Sequence, residues 1–317
     1  MTRRAMLVTA LVVAAATGCS SHGAPPAPSV HRAERPAQRI DARGPVGLTA
    51  VGSTVWTVEA AAGAVVARDA RTGRLLHRVH VGDTPLRAVY DGTSLWVSVF
   101  GAGKVVAVDP SSGRIVHRVR MSGQPEGITA AFGAIWVVRQ AARKLTRISP
   151  AGRVGPSYRL GAEPRLVAAS AHDLFVADVT DGTITRVDPN SGRRTVSGKV
   201  CDGAQDVVDA GGTLWVACTR SNRVVGVDEN TLRVTASLHV AGEPDGERVH
   251  SGTLYVVATT GPTIYRVRIG TDPAIEHKQD LGKAFALDDR ANVDLVVASG
   301  RIWVSSYGEG KVLNIPA

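Results

Sequence analysis

Hydrophobic and polar positions alternate along the chain in short runs, and the runs recur in units of about 40 residues. Stretches rich in Val, Ile and Thr are separated by clusters of Gly, Asp and Pro, a pattern typical of β-strands joined by tight turns. One large aromatic residue holds the same place in every unit: Trp56, Trp96, Trp136, Phe175, Trp215, Tyr255 and Trp303. Because a repeat of this length is typical of propeller blades, we predict an all-β, seven-bladed β-propeller of four-stranded antiparallel blades.

The second unit shows the order of strands within a blade. Residues 85–90, 95–99, 104–108 and 114–121 each predict a strand, and Gly- or Asp-containing turns separate them. A proline stands 11 residues before the aromatic in five units, where the chain links one blade to the next: Pro45, Pro85, Pro125, Pro164 and Pro244. This register allows positions to be compared from blade to blade.

The two ends of the repeat region predict how the ring closes. After Trp303 only residues 311–315 form a further strand, so the seventh blade lacks its outer strand. Residues 39–42 match the outer-strand register of residues 78–81. We therefore expect the N-terminal strand to complete the last blade, which leaves no open edge in the ring.

Three recurring motifs resemble those of a known family. The patterns Leu/Ile-Trp-Val, Val-Asp-Pro-x-x-Gly-Arg and Val-x-Val-Gly-x-x-Pro resemble the YVTN-type (YncE-like) β-propellers, over residues 38–317. That bacterial family contains secreted or cell-surface proteins, and virginiamycin B lyase is a propeller relative. The resemblance implies the fold and an extracytoplasmic location, and it implies no particular chemistry.

The N-terminal residues predict export and anchoring. A basic start, an apolar stretch and Ala16-Thr17-Gly18-Cys19 resemble a bacterial lipoprotein signal, so we predict a signal peptide at residues 1–18 and lipidation of Cys19. Proline-rich residues 19–37 then form a flexible tether, and residues 38–317 the propeller. The predicted location is the extracytoplasmic face of the cell membrane. An ordinary secretory signal with an incidental Cys is the alternative, and the general secretory and twin-arginine routes both stay open.

Charge narrows the choice of partner. The chain carries a formal net charge of +9, and removal of residues 1–18 takes away two arginines and no acid, leaving +7. A basic protein outside the cell is attracted to anionic lipid headgroups and cell-wall polymers. Lys and Arg are scattered through turns without a basic run or interleaved aromatics, so we expect no nucleic-acid partner. We also expect the protein to be a monomer.

Blade-to-blade comparison predicts a candidate binding site at one end of the central channel, where the links between blades gather. The residues placed there form a ring of mixed charge with two aromatics: Arg87, Glu126, Arg165, Asp206, Asp245, Asp294, Glu59, Phe100, Arg139, Asp178 and Tyr307. Such a ring suits a polar or zwitterionic small molecule, or an envelope protein. The alternative is a network of mutually paired, solvated side chains with no ligand.

Catalysis is the less favoured interpretation. The resemblance to the lyase implies a metal-assisted site with His and Glu, but no histidine of this chain falls in the channel-mouth register, so those residues cannot be carried over. Asp288, Asp289 and Asp294 fit no known Ca²⁺ loop, and residues 269–292 are better explained as a surface insertion. We predict a non-enzymatic binding or scaffold module without cofactor or metal. A lyase or hydrolase at the channel mouth is the alternative, and a subunit that docks on envelope proteins fits equally well.

Two cysteines follow Cys19. Cys201 and Cys218 lie in registers that both face the channel mouth, and an exported protein meets an oxidising environment. We predict a disulfide between them; two buried free thiols are the alternative.

Overall fold

The computed structural model describes residues 37–260, 263–281 and 293–317. Its strands form seven four-stranded antiparallel sheets, each in the order inner to outer. The inner strands of successive blades contact one another around the whole ring, the last with the first. In these three segments the only helical turns are the short 3-10 turns Ala60–Ala62 and Thr219–Ser221, and no helix is long and apolar enough to cross a bilayer. The predicted seven-bladed propeller is confirmed.

The strands are numbered along the chain, and each blade is given from its inner to its outer strand. Blade 1 contains β2 (Pro45–Val51), β3 (Thr54–Glu59), β4 (Ala64–Asp69) and β5 (Leu75–His80). Blade 2 contains β6 (Pro85–Tyr90), β7 (Leu95–Val99), β8 (Lys104–Val108) and β9 (Ile115–Arg120). Blade 3 contains β10 (Pro125–Ala131), β11 (Ala134–Arg139), β12 (Lys144–Ile148) and β13 (Val154–Arg159). Blade 4 contains β14 (Pro164–Ala169), β15 (Leu174–Asp178), β16 (Thr183–Val187) and β17 (Arg194–Val196). Blade 5 contains β18 (Ala204–Asp209), β19 (Thr213–Cys218), β20 (Arg223–Asp228) and β21 (Val234–His239). Blade 6 contains β22 (Pro244–His250), β23 (Thr253–Ala258), β24 (Thr263–Arg268) and β25 (Ala274–Asp280). Blade 7 contains β26 (Leu295–Ala298), β27 (Arg301–Ser306), β28 (Lys311–Pro316) and, as its outer strand, β1 (Gln38–Asp41).

The N-terminal strand closes the ring as predicted. β1 pairs antiparallel with β28, from Gln38 opposite Asn314 to Asp41 opposite Lys311. An ion pair between Lys311 and Asp41 fixes the end of this pairing. The last blade therefore combines both ends of the propeller sequence, and neither end leaves an unpaired inner or middle strand.

The repeated aromatics form the wedges between blades. All five tryptophans are buried, and Trp56, for example, packs against Leu95 and Val97 of the next blade. One such side chain, with roughly 200 Å² buried, contributes about 5 kcal/mol of hydrophobic stabilisation before the unfolded chain's own compactness is counted. His77 also stacks on Trp56, at 6.2 Å between ring centroids, which gives this outer-strand histidine a packing role.

Three sequence expectations need correction or lie outside the described residues. His277 was expected in an insertion, but it lies in the outer strand β25 opposite Arg266, because residues 274–280 pair with β24. The register of Cys201 predicts the end of an outer strand, but β17 stops at Val196 and Cys201 lies in the link that follows. The signal peptide, Cys19, the tether up to residue 36, and Asp288 and Asp289 lie outside the described residues.

Candidate binding site in the central channel

The two ends of the channel differ in their backbone. We call the end where the links between blades and the loops from second to third strand gather the mouth side, and the end with the other two turns the turn side. On the mouth side, the pairing of inner and second strand shifts register in six blades, at Pro45/Leu48, Pro85/Arg87, Pro125/Ile128, Pro164/Val167, Ala204/Asp206 and Pro244/Gly246. Such bulges bend a strand and re-aim its side chains.

Charged side chains cluster at the level of these bulges. We call this set the charged layer; it consists of Arg87, Glu126, Arg165, Asp206, Asp245, Glu247, Arg248 and Asp294. Three of its aspartates accept a hydrogen bond from a backbone amide at or just before the next blade's inner strand: Asp206 from Glu247 (3.2 Å), Asp245 from Val293 (2.8 Å) and Asp294 from Leu48 (3.0 Å). These carboxylates therefore tie blades 5, 6, 7 and 1 together around the axis.

Ion pairs complete the charged layer. Arg248 bridges two carboxylates, with 3.2 Å from Nη1 to Asp206 Oδ2 and 2.9 Å from Nη2 to Asp294 Oδ1. Arg165 pairs with Glu126 across blades 3 and 4 at 3.1 Å. Sequence reasoning missed Arg248 and Glu247, because it compared only the two positions after the proline register. Reading the third and fourth positions of the same register finds both.

Most side chains of the charged layer are buried. Arg87 is 5% exposed, Glu126 1%, and Asp206, Asp245 and Asp294 between 2% and 4%. Most of the residues that the sequence placed in a ring at the mouth are therefore buried, and their role in ligand binding stays a prediction. The alternative of a paired network describes the contacts correctly, but the network is buried rather than solvated, since the bulges turn these side chains inward.

Four of the predicted site residues stay with their own blades. Glu59 pairs with Arg78 at 2.9 Å, and Arg139 donates to the Ser122 carbonyl at 2.7 Å. Asp178 accepts amide hydrogen bonds in its own loop region, and Tyr307 lies against residue 44. The structure does not bring these four into the charged layer.

Close approach of the inner strands narrows the channel at the same level. A Cβ at Gly47 would lie 2.6 Å from the Leu86 carbonyl oxygen of the next blade. A Cβ at Gly127 would clash with the Arg165 carbonyl oxygen. Only glycine fits at these two contacts, so the inner strands of blades 1 and 2, and those of blades 3 and 4, pack backbone to backbone at the level of the charged layer.

A cavity of about 410 Å³ occupies the turn-side half of the channel, and residues from all seven inner strands line it. Its wall is mostly apolar and includes Leu48, Ile128, Val167 and Val207, with Thr49, Thr129 and Asp209 as polar members. Along most inner strands the residues change from buried at the mouth side to half-buried at the turn side. The cavity therefore opens on the turn side, opposite to the end where the sequence placed the site.

Arg87 lies at the closed end of this cavity, with Asp206, Arg248 and Asp294. Its guanidinium makes no hydrogen bond to any of the described residues; its nearest counter-charge is Asp294 Oδ2, 3.7 Å from Nη1. A guanidinium carries five N–H donors, and buried donors left unpaired cost free energy. Arg87 is therefore the group in the cavity that is most ready to bind an added acceptor.

Burial shifts several ionisation equilibria in the charged layer. Loss of solvent raises the pKa of Asp245 to about 6. Burial, with the nearby Asp294 carboxylate, raises the pKa of Asp206, and burial with Asp206 raises that of Glu247 well above its usual range. Burial opposes the charge of Arg248, but the Asp294 and Asp206 carboxylates outweigh it and raise its pKa. Asp206, Asp245 and Glu247 therefore hold their protons more tightly than exposed carboxyl groups do.

Metal-ligating chemistry is not assembled here. Within residues 37–260, 263–281 and 293–317, no group of three His, Cys, Asp or Glu side chains could hold a metal ion, and no histidine lines the cavity. The structure joins Cys201 and Cys218 in a disulfide on the mouth side of blade 5. That bond fastens the link from blade 4 to the buried end of β19.

Comparison with known proteins supports the architecture. No protein-family model and no curated protein matches this chain. Among solved structures, virginiamycin B lyase from Staphylococcus aureus superposes with a TM-score of 0.74 at 15% identity, covering 89% of this chain and 99% of that one. Hydrazine synthase of Kuenenia stuttgartiensis gives 0.73 at 18% identity, covering 87% and 96%. BamB from Moraxella catarrhalis gives 0.59 at 18%, covering 85% and 81%. At these identities the likeness shows the propeller fold; the YVTN-type assignment stays a prediction.

Proposed function

We propose that this protein is a lipid-anchored, extracytoplasmic binding module without catalytic activity, and that its ligand occupies the turn-side cavity. The observation that carries the proposal is the combination of an apolar wall with Arg87, a buried guanidinium without a hydrogen bond, at the closed end. Small-molecule sites are commonly apolar cavities of roughly 300–1,000 Å³ with a few polar groups that orient the ligand. The cavity has both properties.

The chemistry of the closed end favours one class of ligand. Arg248 is already paired with Asp206 and Asp294, which leaves Arg87 to donate hydrogen bonds to the ligand's polar group. A guanidinium prefers a carboxylate or phosphate, which it binds through two parallel hydrogen bonds. The ligand that fits is therefore a small amphipathic acid, with its anionic group at Arg87 and its apolar part along Ile128 and Val207.

The position of β1 agrees with membrane anchoring. Asp41 pairs with Lys311 on the mouth side, so Gln38 lies at the turn-side end of blade 7. A tether that precedes Gln38 starts from the face on which the cavity opens.

Thermal shift with medium-chain carboxylates, each compared with its primary amide, tests the proposal. A carboxylate at one hundred times its dissociation constant should stabilise the protein by about 2.7 kcal/mol, or about 5 °C for a domain of this size. Arg87→Leu should abolish the difference between acid and amide, whereas Arg139→Leu, outside the cavity, should keep it. Ala88→Phe, which fills the cavity, provides a second test that leaves Arg87 in place.

Equal shifts for acid and amide, or a full acid shift in Ala88→Phe, contradict the proposal. If neither compound class shifts the protein while the fold is intact by circular dichroism, the cavity is not a site for this class of ligand.

A lyase activity is the second candidate, and one observation favours it. Asp245, with its pKa raised to about 6, has the ionisation of a general acid near neutral pH. One structural neighbour is a catalytically inactive histidine-to-alanine variant of virginiamycin B lyase with quinupristin, so that enzyme depends on a histidine. Asp245 is buried and absent from the cavity lining, which makes this candidate weaker. Incubation with quinupristin, followed by mass spectrometry, should show no product; turnover that disappears in Asp245→Asn establishes the lyase instead.

A further inference from the structure

The charges of this protein are distributed unevenly around the ring. Blades 2 and 3, residues 82–160, contain eleven Lys and Arg and only four Asp and Glu. Blades 5 and 6, residues 201–281, contain seven basic and eleven acidic residues. Because the blades follow one another around the axis, one side of the propeller is strongly basic and another is acidic.

The basic side contains two uncompensated pairs of like charge. At the mouth-side end of blade 2, Lys104 lies directly opposite Arg120, and in blade 3 Lys144 lies opposite Arg159. The same register holds an attractive Lys311–Asp41 pair in blade 7. Like charges opposite each other across two strands destabilise a sheet. The two blades therefore carry an electrostatic cost that their neighbours do not.

The two pairs lie on adjoining surfaces. The link after β9 contacts the loop of blade 3, where the Gln140 amide donates to the Gln124 carbonyl at 3.0 Å. That loop ends at Arg143, whose carbonyl accepts from the Leu160 amide. We call the resulting surface the basic stripe; it consists of Lys104, Arg120, Arg143, Lys144 and Arg159.

The side chains of the basic stripe are accessible to solvent and lack acidic partners among the described residues. Four of the five are exposed and Lys104 is half-buried. None pairs with an acid among the residues that the structure describes. A line of unpaired cations concentrates anions at its surface, and the contacts release counterions when a polyanion binds.

We infer that the basic stripe binds an extended polyanion, a linear polymer of phosphate groups. Two features favour a polymer over a bilayer. The exposed large apolar side chains of blades 2 and 3, Val116, Phe132 and Val154, lie outside the stripe, so none could insert into lipid there. Gln38 lies at the turn-side end of blade 7, two blades from blade 2 and three from blade 3, so a molecule anchored through the residues before Gln38 presents the mouth-side stripe away from its own membrane. This orientation rests on the anchor in the proposed function; the charge pattern does not.

Binding of long-chain inorganic polyphosphate by the full chain, measured by fluorescence titration at several salt concentrations, tests the inference. Five phosphate contacts, one for each side chain of the basic stripe, predict a slope of log K against log salt near −3.5, at about 0.7 per contact. The double variant Lys104→Glu/Lys144→Glu should weaken binding more than tenfold and roughly halve that slope. It should also unfold at a slightly higher temperature, because each new carboxylate faces an arginine.

The matched control is Arg114→Glu/Arg153→Glu, which changes the net charge equally, on the same two blades, at exposed positions on the turn side. This control should keep at least half of the affinity. Equal loss in both double variants means that net charge alone attracts the polymer, and overturns the inference. Binding to phosphatidylglycerol vesicles without binding to polyphosphate also overturns it, in favour of a membrane surface. Neither outcome bears on the cavity, since Arg87 is unchanged.

Discussion

Replacement of Asp245 by Asn should remove most of one pH-dependent part of this protein's stability. Burial raises the pKa of Asp245 from 3.8 to about 6 in the folded protein. Between these values the folded state keeps a proton that the unfolded state has released. The contribution to stability is therefore fully present below about pH 4 and is lost as the pH rises through 6. A difference of about two pH units corresponds to about 3 kcal/mol at pH 8.

Asn is neutral at every pH and its amide oxygen can still accept the hydrogen bond from Val293, which Asp245 accepts at 2.8 Å. Asp245→Asn should therefore match the wild type at pH 4 and exceed it by up to about 3 kcal/mol at pH 8. Urea unfolding followed by tryptophan fluorescence at pH 4, 6 and 8 measures the difference. Asp272→Asn, at a side chain that is 89% exposed, is the control and should change little.

One result would refute this reasoning: an Asp245→Asn protein whose stability varies with pH as the wild type does. It would mean that the arginines near the charged layer keep the carboxylate ionised in the folded protein. A lower stability of Asp245→Asn than of the wild type at pH 8 would have the same meaning. The ionised Asp245 carboxylate would then stabilise the fold by attracting the nearby arginines, and its burial would not be the dominant effect.

Three further perturbations test the architecture. Cys201→Ser/Cys218→Ser opens a loop of 17 residues and should cost about 3 kcal/mol in chemical denaturation under oxidising conditions; no change would mean that the link is held by its other contacts. Gly127→Ala should cost about 3 kcal/mol, because its Cβ meets backbone, whereas Gly198→Ala, in open space, should be nearly neutral by thermal unfolding; equal effects would contradict the close approach. Deletion of residues 38–41 exposes β28 as an edge strand and should cause aggregation in size-exclusion chromatography, and a soluble monomer would show that closure is dispensable.

Most of the fold could be predicted from the sequence because every blade uses the same pattern of strands and turns. The strands predicted at residues 85–90, 95–99 and 104–108 match β6, β7 and β8 residue for residue. Alternation of apolar and polar side chains, interrupted by turn residues, leaves little freedom in such short strands. Closure by β1 was predictable for the same reason. Residues 39–42 match the outer-strand pattern but precede the first blade, and the seventh blade lacks an outer strand.

The candidate site was only partly predictable. The register correctly placed Arg87, Asp206 and Asp294 at one level of the channel, but periodicity does not say which end of a channel is open. That depends on the bulges and on the approach of neighbouring inner strands, which are contacts between blades distant in sequence. Arg248 illustrates the limit: one residue's shift at the bulge of β22 turns it toward the axis. Its partners lie 42 and 46 residues away.

The glycine contacts at the level of the charged layer make the spacing of the inner strands independent of the side-chain chemistry in the channel. Main-chain atoms at Gly47 and Gly127 set how closely neighbouring inner strands approach there, whereas side chains determine the chemistry. Replacing one charged group by another therefore alters what the blind end of the pocket recognises without widening it into a passage. Variants of this scaffold can therefore acquire new specificities while the ligand still enters and leaves the cavity through its turn-side opening.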